Sequence, residues 1–392
     1  MKLNVAVFMG GKSTEHEISC ISANQAIEAL DKDKYNVIPV YISKNNDLYY
    51  GDELLSLKNY ADLNDLCSKL KKISLYKDNN KVYLKPIKGL FKKAVPIDVA
   101  FEVVHGTNVE DGSLAGLLEM LDLPYTGSNV LGSAVGQDKA IMKEIFAYEK
   151  IPMVDWFYFF AHDYKEQLPE IKKKAKKIGY PLIIKPANLG SSVGIQIVHN
   201  EKELEEKIKE ASKYDFKLVV EKMVQHLKEV NISVIGNIFD AKVSAIEEVY
   251  KNDELLSFKD KYEGGSKSGK KLKVPVKTAG SKGMASTTRK IPANITKKQQ
   301  ADIEKYALAA FKALNANGVV RIDFMIDTKT NKVYINEINS IPGSLAFYLW
   351  NENGIDFTKE CDMLVENALK MYREKDKKTY SFDTNVLKNY RG

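Results

Sequence analysis

The sequence predicts an α/β protein built in three parts. In the first part, apolar runs alternate with helix-like segments, and glycines follow the apolar runs. This order is typical of a parallel sheet that binds ligands at its strand ends. The second part contains "YPLIIKPANLGSSVGIQIV", which reads as a strand, a glycine-serine loop and another strand. The third contains an apolar hairpin, "VVRIDFMIDTKTNKVYIN", that ends in acidic and amide side chains.

The composition is that of an ordinary globular protein, with 392 residues, 44% of them hydrophobic and 28% charged. The net charge of +7 fits anionic substrates such as nucleotides, although a lysine-rich surface explains it equally well. We expect neither nucleic acid nor a membrane as a partner. The three cysteines are far apart in sequence, which indicates a reducing, cytoplasmic setting. The apolar run at the N-terminus is too short for a signal peptide, and no segment resembles a membrane span.

The first part, residues 1–127, begins with the strand "LNVAVFMGG" and the helix "TEHEISCISANQAIEAL". Two further strands, "YNVIPVYIS" and "PIDVAFEVVHG", follow it along the chain. The helix in "GSLAGLLEMLDLPYTG" is stopped by Pro124. We expect the domain to close near Gly127.

The second part, residues 128–221, is expected to open with one helix at "AVGQDKAIMKEIFAYEK" and to end with the strand "KLVVEKMV". The third part, residues 222–392, is predicted to hold strands at 231–236 and 242–250 and a helix at 296–314. Between them lies a long stretch at 257–290, where residues 263–290 carry eight Lys or Arg and one Glu. A loop of that length is usually a lid or disordered.

The hairpin in the third part predicts a metal site. If Asp323 pairs with Glu337, the same register pairs Arg321 with Asn339 and leaves a loop at 328–332. The two carboxylates would then lie roughly 5 Å apart at Cβ, which is destabilising unless a cation lies between them. Oxygen ligands of this kind suit Mg²⁺, and Arg321 can face a phosphate or an oxyanion. The alternative is a charged hairpin face that contacts only water.

The loop after this hairpin contains Pro342 and Gly343. A plain turn explains the glycine, but its N–H could also lie close to a reacting group.

The glycine-serine loop of the second part could bind phosphates. Gly190, Ser191 and Ser192 offer N–H groups and hydroxyls, and Lys185 adds a positive charge. Alone, the pattern is equally compatible with a plain hairpin turn. Beside a metal hairpin, it predicts a nucleotide site.

A second phosphate-loop candidate, "AVFMGGKS", contains Lys12. Ala6 falls inside the apolar strand, which leaves too few residues to surround a phosphate. We expect this turn to position Glu15 at the start of the following helix, where the alternative is a carboxylate stabilised by the helix dipole.

Three other candidates each have a structural alternative. His105 ends a strand, where a lone histidine commonly makes structural hydrogen bonds. Lys261 and Tyr262 open the basic stretch, and could be a solvated lysine and a packing tyrosine.

Taken together, "GGKSTEHEIS", "HGTNVEDGSLAGLLEMLDLPYTGS", "DKAIMK", "PLIIKPANLGSSVGIQIV", "FKDKYEGG", "RIDFMID" and "YINEINSIPGS" resemble the D-alanine–D-alanine ligases of the ATP-grasp superfamily. The resemblance covers most of the chain in the family's order. It implies a three-domain ATP-grasp architecture with a Rossmann-like N-terminal domain, and ATP between the sheets of the other two domains. Family analogy also suggests a homodimer.

The resemblance also implies residue roles. Those at ATP are phosphate contacts by Lys139, Lys185 and Ser192, adenine contacts by Glu221 and Lys222, and a ribose contact by Glu229. Two Mg²⁺ or Mn²⁺ ions would be held by Asp323, Glu337 and Asn339. The first D-alanine would contact His105 and Glu15, whose carboxylate would also bond Ser191 and Tyr262. Arg321 and the Gly343 N–H would stabilise the tetrahedral intermediate, and Lys261 would face the second substrate's carboxylate.

The implied reaction is ATP-dependent formation of D-alanyl-D-alanine through an acyl phosphate, for peptidoglycan precursor synthesis. The sequence departs from the family pattern at Tyr348 and Leu349, where relatives place a small hydroxyl residue and an apolar one at the second substrate. The stretch after Tyr262 is also unusually long and basic. A ligase for another small amino acid such as D-serine, or a nucleotide-binding sensor without turnover, therefore stays an alternative.

Overall fold

The computed structural model describes residues 2–88, 93–250, 288–381 and 386–390, which form three β-sheets and confirm the predicted α/β class. The N-terminal sheet has seven strands in the order β6-β5-β4-β3-β2-β1-β7. Its strands are β1 Leu3–Gly10, β2 Tyr35–Ile42, β3 Leu48–Tyr50, β4 Lys71–Asp78, β5 Lys81–Pro86, β6 Val95–Ile97 and β7 Val99–Glu102. The helices of this part are α1 His16–Ala29, α2 Leu63–Lys69 and α3 Ser113–Met120.

Only the strands β2, β1 and β7 of this sheet are parallel. The strands β3 to β6 extend one edge as an antiparallel meander, so the expected parallel sheet is in fact mixed. These added strands are short or half exposed, which weakens the apolar signal in the sequence. In contrast, β1 is buried from Val5 onwards and reads as a continuous apolar run.

The second sheet has four antiparallel strands in the order β10-β9-β11-β8. This part comprises α4 Val130–Gln137, α5 Lys139–Tyr148, β8 Trp156–Phe160, α6 Tyr164–Ile178, β9 Leu182–Pro186, β10 Gln196–Val198, α7 Glu201–Ala211 and β11 Lys217–Lys222.

The expected single helix at its start is wrong, because the helix is interrupted at Asp138. The Asp138 side chain accepts hydrogen bonds from the N–H groups of Ala140 and Ile141, at 3.0 and 3.2 Å, and so caps a new helix.

The third sheet has five antiparallel strands in the order β14-β13-β12-β15-β16. This part comprises β12 Leu227–Gly236, β13 Ala241–Tyr250, β14 Thr288–Lys290, α8 Lys297–Ala313, β15 Gly318–Asp327, β16 Lys332–Asn339, α9 Phe347–Trp350 and α10 Phe357–Asp376. A short turn at Gly343–Ala346 connects β16 to α9.

Most of the predicted lid, 257–290, lies outside the described residues. Its last three residues form β14, which pairs with β13.

The packing of two helices links the three parts. Buried side chains of α10, including Cys361 and Leu364, join the core of the N-terminal sheet. Met142 and Phe146 of α5 pack with the core of the third sheet. The boundaries at 127 and 221 stay predictions. In the described part of the chain, no helix combines the length and the apolarity that a membrane crossing requires.

Candidate active site

One cavity of about 230 Å³ is bordered by residues from all three parts of the chain. Most of the predicted site residues line it, namely Glu15, His105, Lys139, Lys185, Ser191, Ser192, Glu229, Arg321, Asp323, Glu337, Asn339 and Gly343. The side chains of Glu221, Lys222, Tyr348 and Leu349 do not line it, and Lys261 and Tyr262 lie outside the described residues. Residues that are more than 300 positions apart in the sequence, such as Glu15 and Gly343, therefore line the same cavity.

The hairpin of β15 and β16 has the predicted register at its open end. Asp323 pairs with Glu337, and Arg321 pairs with Asn339. The row continues across the sheet, because Asn231 lies opposite Asp323 on one side and opposite Glu247 on the other. Four adjacent strands thus place a carboxylate or an amide in one line facing the cavity.

A β-bulge interrupts this hairpin after Asp323, and Phe324 pairs with Ile335 rather than with Asn336. The loop is therefore 328–331 instead of the predicted 328–332, since Lys332 pairs with Asp327. The bulge gives β16 one extra residue, so that both Asn336 and Glu337 border the cavity.

The two facing carboxylates each have a basic partner. Arg321 donates through Nε to Asp323 Oδ1 at 2.7 Å and through an Nη to Asp323 Oδ2 at 2.9 Å. Lys139 Nζ lies 3.3 Å from Glu337 Oε2. Burial alone would lower the pKa of Arg321, but the Asp323 carboxylate outweighs burial and raises it. The guanidinium is therefore charged at any physiological pH.

The predicted phosphate lysine, Lys185, belongs to a buried charge triad with Glu221 and Lys143. Glu221 Oε2 lies 2.8 Å from Lys185 Nζ, and Glu221 Oε1 lies 3.1 Å from Lys143 Nζ. Burial opposes ionisation of Glu221, but the two lysines lower its pKa. Lys185 also donates to Asn336 Oδ1 at 2.9 Å, which ties the second sheet to the bulge of the third. The triad thus orients Lys185 toward the cavity.

The predicted adenine residues point their side chains elsewhere. Glu221 is engaged in the triad, and Lys222 Nζ donates to the carbonyls of Gly179 and Tyr180 at 2.8 and 3.0 Å. If these two residues contact a purine, the contact would therefore be made by their backbone groups in β11.

Glu15 lies where the N-terminal part meets the glycine-serine loop. It accepts a hydrogen bond from the Ser191 hydroxyl. A Cβ on Gly190 would lie 2.9 Å from Glu15 Oε2, and a Cβ on Gly106 would lie 3.0 Å from the same atom. Both glycines therefore allow the backbone to approach the carboxylate closely. Ser191 and Ser192 themselves have left-handed φ values of 52° and 62°.

His105 is buried and connects α1 to the loop after β16. Its Nδ1 lies 2.9 Å from the Ile341 carbonyl oxygen, and its Nε2 lies 3.2 Å from the Ser22 hydroxyl. Burial lowers the pKa of His105, which favours the neutral ring.

Glu110 is a site residue that the sequence did not reveal. One oxygen accepts from the Gly106 N–H at 2.7 Å, and the other accepts from Ser340 and from the Ile341 N–H at 3.0 and 2.9 Å. Burial, reinforced by the charge of Glu15, raises its pKa to about 7. Nothing in its local sequence distinguishes it from a loop carboxylate, because two of its partners, Ser340 and Ile341, lie more than two hundred residues away.

Glu247 belongs to β13 of the third sheet, and Tyr348 of α9 packs beside it. The Tyr348 hydroxyl donates to Glu247 Oε1 at 3.1 Å, and burial raises the tyrosine pKa, so that the hydroxyl keeps its proton. Leu349 is fully buried and does not border the cavity, so a substrate contact by this residue is not seen. Glu247 was not predicted, although its pairing with Asn231 across the strands places it in the polar row.

Comparison with known proteins gives matches along most of the chain. Residues 4–128 match the family "D-ala D-ala ligase N-terminus", and residues 145–285 and 277–366 match "D-ala D-ala ligase C-terminus". The chain is 40% identical over 389 residues to a D-alanine–D-alanine ligase of Thermosipho melanesiensis, covering 98% of both chains.

Solved structures of similar fold include two ligases. The D-alanine–D-alanine ligase of Coxiella burnetii has a TM-score of 0.75 and 29% identity, with 96% of each chain covered. The Bacillus anthracis ligase complexed with ATP has a TM-score of 0.65 and 25% identity, covering 95% of this chain and 99% of that one. The resemblance predicted from the motifs is confirmed, and the chain belongs to the D-alanine–D-alanine ligase family of the ATP-grasp superfamily.

Proposed function

We propose that this protein is a cytoplasmic enzyme that joins two D-alanines to D-alanyl-D-alanine with ATP, for peptidoglycan precursor synthesis. The observation that carries the proposal is that Glu15, Lys185 and Arg321, which come from the three different parts of the chain, line one cavity. Membership of the family and the ATP-bound relative support ATP as the energy source. The free thiols of Cys20, Cys67 and Cys361 fit a reducing compartment.

ATP would lie between the second and third sheets. The ammonium groups of Lys139 and Lys185 and the loop containing Ser191 and Ser192 offer charge and donors to its phosphates. Ile183, Leu227 and Met325 line the same cavity and provide apolar surface for a purine. In this proposal the backbone of Glu221 and Lys222 reaches the adenine, and Glu229 reaches the ribose.

The polar end of the hairpin has the chemistry of a magnesium site. Asp323 and Glu337 are opposed across the strands and only partly buried, and Asn339 Nδ2 lies 3.3 Å from Asp323 Oδ2. Within the described ranges, no three His, Cys, Asp or Glu side chains converge as a metal site, so the set needs its amide and phosphate oxygens.

We assign Asp323, Glu337 and Asn339 as the residues that would hold two Mg²⁺ or Mn²⁺ ions. Bound there, the ions would offset the negative charge of the phosphates. Arg321 and Lys139 now form ion pairs with Asp323 and Glu337. With the metal ions bound to these carboxylates, the two basic side chains would be available to the substrates.

The remaining residues act on the amino acids. Glu15 would bind the ammonium group of the first D-alanine, with Ser191 and Tyr262 holding the carboxylate, and neutral His105 would border the same pocket. Arg321 and the N–H of Gly343 would meet the oxyanion that forms when the second amine attacks the acyl phosphate. A Cβ built on Gly343 has no other atom within 4 Å, so its backbone borders open space. Lys261 would face the second substrate.

A homodimer belongs to the same proposal. The helices α3 and α4 pack on each other and expose Met120 and Leu131, which are 86% and 62% exposed. Surface of this kind is suited to a second copy. Light scattering at micromolar concentration should give twice the mass of one chain for the wild type and the mass of one chain for Leu131→Glu. A monomeric wild type would contradict the homodimer but not the ligase activity.

The central test is product formation. With ATP, Mg²⁺ and D-alanine alone, mass spectrometry should detect D-alanyl-D-alanine together with stoichiometric phosphate. Adding D-serine or D-lactate should not displace this product. ATP binding without a dipeptide from any pair of amino acids would instead indicate a nucleotide sensor, and preferential use of D-serine would indicate a different second substrate.

A further inference from the structure

The inner wall of the cavity contains a buried carboxylate with three partners. Glu247, whose side chain is 1% exposed, accepts from the Asn231 amide at 3.0 Å and from the Tyr348 hydroxyl at 3.1 Å. Its other oxygen lies 3.4 Å from Arg289 Nη1. The Arg289 guanidinium lies over the Tyr348 ring, 4.3 Å from its centre. These contacts fix Arg289 from two sides, by charge and by stacking.

The Tyr348 hydroxyl is directed at Glu247 and not into the cavity. A contact between that hydroxyl and a substrate carboxylate, as the family pattern implies for this position, would require the hydroxyl to leave a buried carboxylate. Removing one hydrogen bond from Glu247 would cost free energy, because water cannot replace it at a buried carboxylate. Tyr348 is therefore better suited to support Arg289 than to bind a substrate.

Arg289 itself borders the cavity, together with Arg321 and Gly343. It projects from β14, where it pairs with Val249, and its side chain is 22% exposed. A guanidinium has five N–H donors in a planar fork that matches a carboxylate. Arg321, the other arginine of the cavity, directs two of its nitrogens at Asp323. Arg289 has Glu247 as a carboxylate partner instead, so the two arginines border the same cavity while pairing with different acidic residues.

We propose that Arg289 binds the carboxylate of the second amino acid, and that Glu247 and Tyr348 are positioning residues for its guanidinium. The inference rests on the proposed ligase function and specifies its second substrate as an amine that carries a free carboxylate. The chain thereby replaces the small hydroxyl residue of its relatives with an arginine supplied by a neighbouring strand.

The test compares D-alanine with D-alaninamide as the second substrate. D-alanine alone is varied above the concentration that fills the first site, and in a separate series D-alaninamide is varied at that fixed D-alanine concentration. D-alaninamide lacks the carboxylate and cannot act as the first substrate. We expect Arg289→Met to lower kcat/KM for D-alanine as acceptor by about 10- to 100-fold, the value of hydrogen bonds to a charged group. The rate with D-alaninamide and the KM values for ATP and for the first D-alanine should stay within about threefold of wild type.

Two further variants sharpen the result. Arg289→Lys should recover part of the preference for D-alanine, because it keeps the charge but not the fork. Lys290→Met changes the next residue of the same strand, which is exposed, and should alter neither acceptor. Glu247→Gln should weaken the preference for D-alanine over D-alaninamide without changing the KM for the first D-alanine. If Glu247 had a purely structural role, its replacement would affect both acceptors alike.

Equal losses for both acceptors in Arg289→Met, or no loss for either, would overturn the assignment of Arg289. A wild-type enzyme that forms no dipeptide with any acceptor would instead overturn the proposed function, and this inference with it. Melting temperatures of all variants show whether each has folded.

Discussion

Individual buried charges in this protein are compensated in groups. Lys143 and Lys185 flank Glu221, and all three side chains are at least nine-tenths buried. Burial lowers the pKa of Lys143, whereas Glu221 overcomes the effect of burial and raises the pKa of Lys185. Glu221 is thus the carboxylate that compensates the charge of both buried lysines.

Replacing Glu221 should therefore be far more harmful than replacing Lys143. We expect Glu221→Gln to lower the free energy of unfolding by about 3–5 kcal/mol, because two buried ammonium groups lose their counterion. Lys143→Met should change it by less than about 1 kcal/mol, since Lys185 still pairs with Glu221 and an apolar chain of similar length fills the space. Urea denaturation measures both. Equal destabilisation by the two variants would show that Lys143 has an unidentified role.

Glu102, at the end of β7, is a buried carboxyl with little compensation. It accepts a hydrogen bond from the Gly127 N–H at 3.0 Å, and burial raises its pKa to about 8. The folded state thus binds a proton that the unfolded chain releases near pH 4.5. Stability contributed by the protonated form is present below pH 4.5 and is lost as the pH rises toward 8, by up to about 5 kcal/mol.

Glu102→Gln should flatten this decline. The variant and wild type should differ little near pH 5, and the variant should be the more stable near pH 8, because an amide needs no proton to stay neutral. Thermal denaturation between pH 5 and 8 measures the difference, with the exposed Glu205→Gln as a control that keeps the wild-type slope. A parallel curve for Glu102→Gln would exclude Glu102 as its source.

Among the structural elements, the turn after β16 has an unusual backbone. Ser344, Leu345 and Ala346 have φ values of 51°, 52° and 58°, so three consecutive residues with side chains are left-handed. Each such residue costs roughly 1–2 kcal/mol relative to a right-handed one. The turn is held by the Ser344 N–H, which donates to the Ser22 hydroxyl at 2.9 Å, and it leads directly into α9 with Tyr348. The surrounding contacts therefore hold a strained turn between Gly343 and Tyr348.

Glycine should be accepted at this turn although it is usually destabilising. We expect Ala346→Gly to leave the melting temperature unchanged or to raise it, because glycine adopts a left-handed conformation without penalty. Ala307 of α8 is an equally buried alanine, and there the same change should cost about 1 kcal/mol. Differential scanning calorimetry compares the two. A loss at Ala346 as large as that at Ala307 would mean that the turn stores no strain.

The arrangement of the three sheets brings Lys185, and not Lys12, to the cavity. Lys185 is buried at the cavity between the second and third sheets, whereas the Lys12 side chain is exposed and does not line it. The glycine turn before Lys12 packs against Val109 instead, because a Cβ on Gly11 would lie 2.6 Å from Val109 Cγ1.

A non-hydrolysable ATP analogue with Mg²⁺ should therefore stabilise Lys12→Ala as it stabilises wild type, by about 2.7 kcal/mol at a hundredfold excess over Kd. Lys185→Ala and Asp323→Ala should show little or no stabilisation, because each removes a group proposed to bind the phosphates or their metal. The change in melting temperature on adding the analogue gives the answer for each variant. Loss of the response in Lys12→Ala alone would support the phosphate loop at the N-terminus.

Residue order alone was enough to predict the α/β class, the family and the pairing of Asp323 with Glu337. These depend on local patterns, since alternating strands and a short hairpin fix their neighbours within a few residues. It did not predict the antiparallel meander, the break at Asp138 or the bulge that turns Asn336 toward Lys185. Each of these depends on specific hydrogen bonds and packing contacts, which the periodicity of apolar residues does not reveal.

Local sequence contains the candidate residues, but their grouping depends on folding. Glu110 contacts Ile341, and Arg289 meets Tyr348, across separations that no spacing rule covers. The reason is physical: the burial that raises the pKa of Glu110 and the contacts that orient Arg289 and Tyr348 exist only once the three sheets pack together.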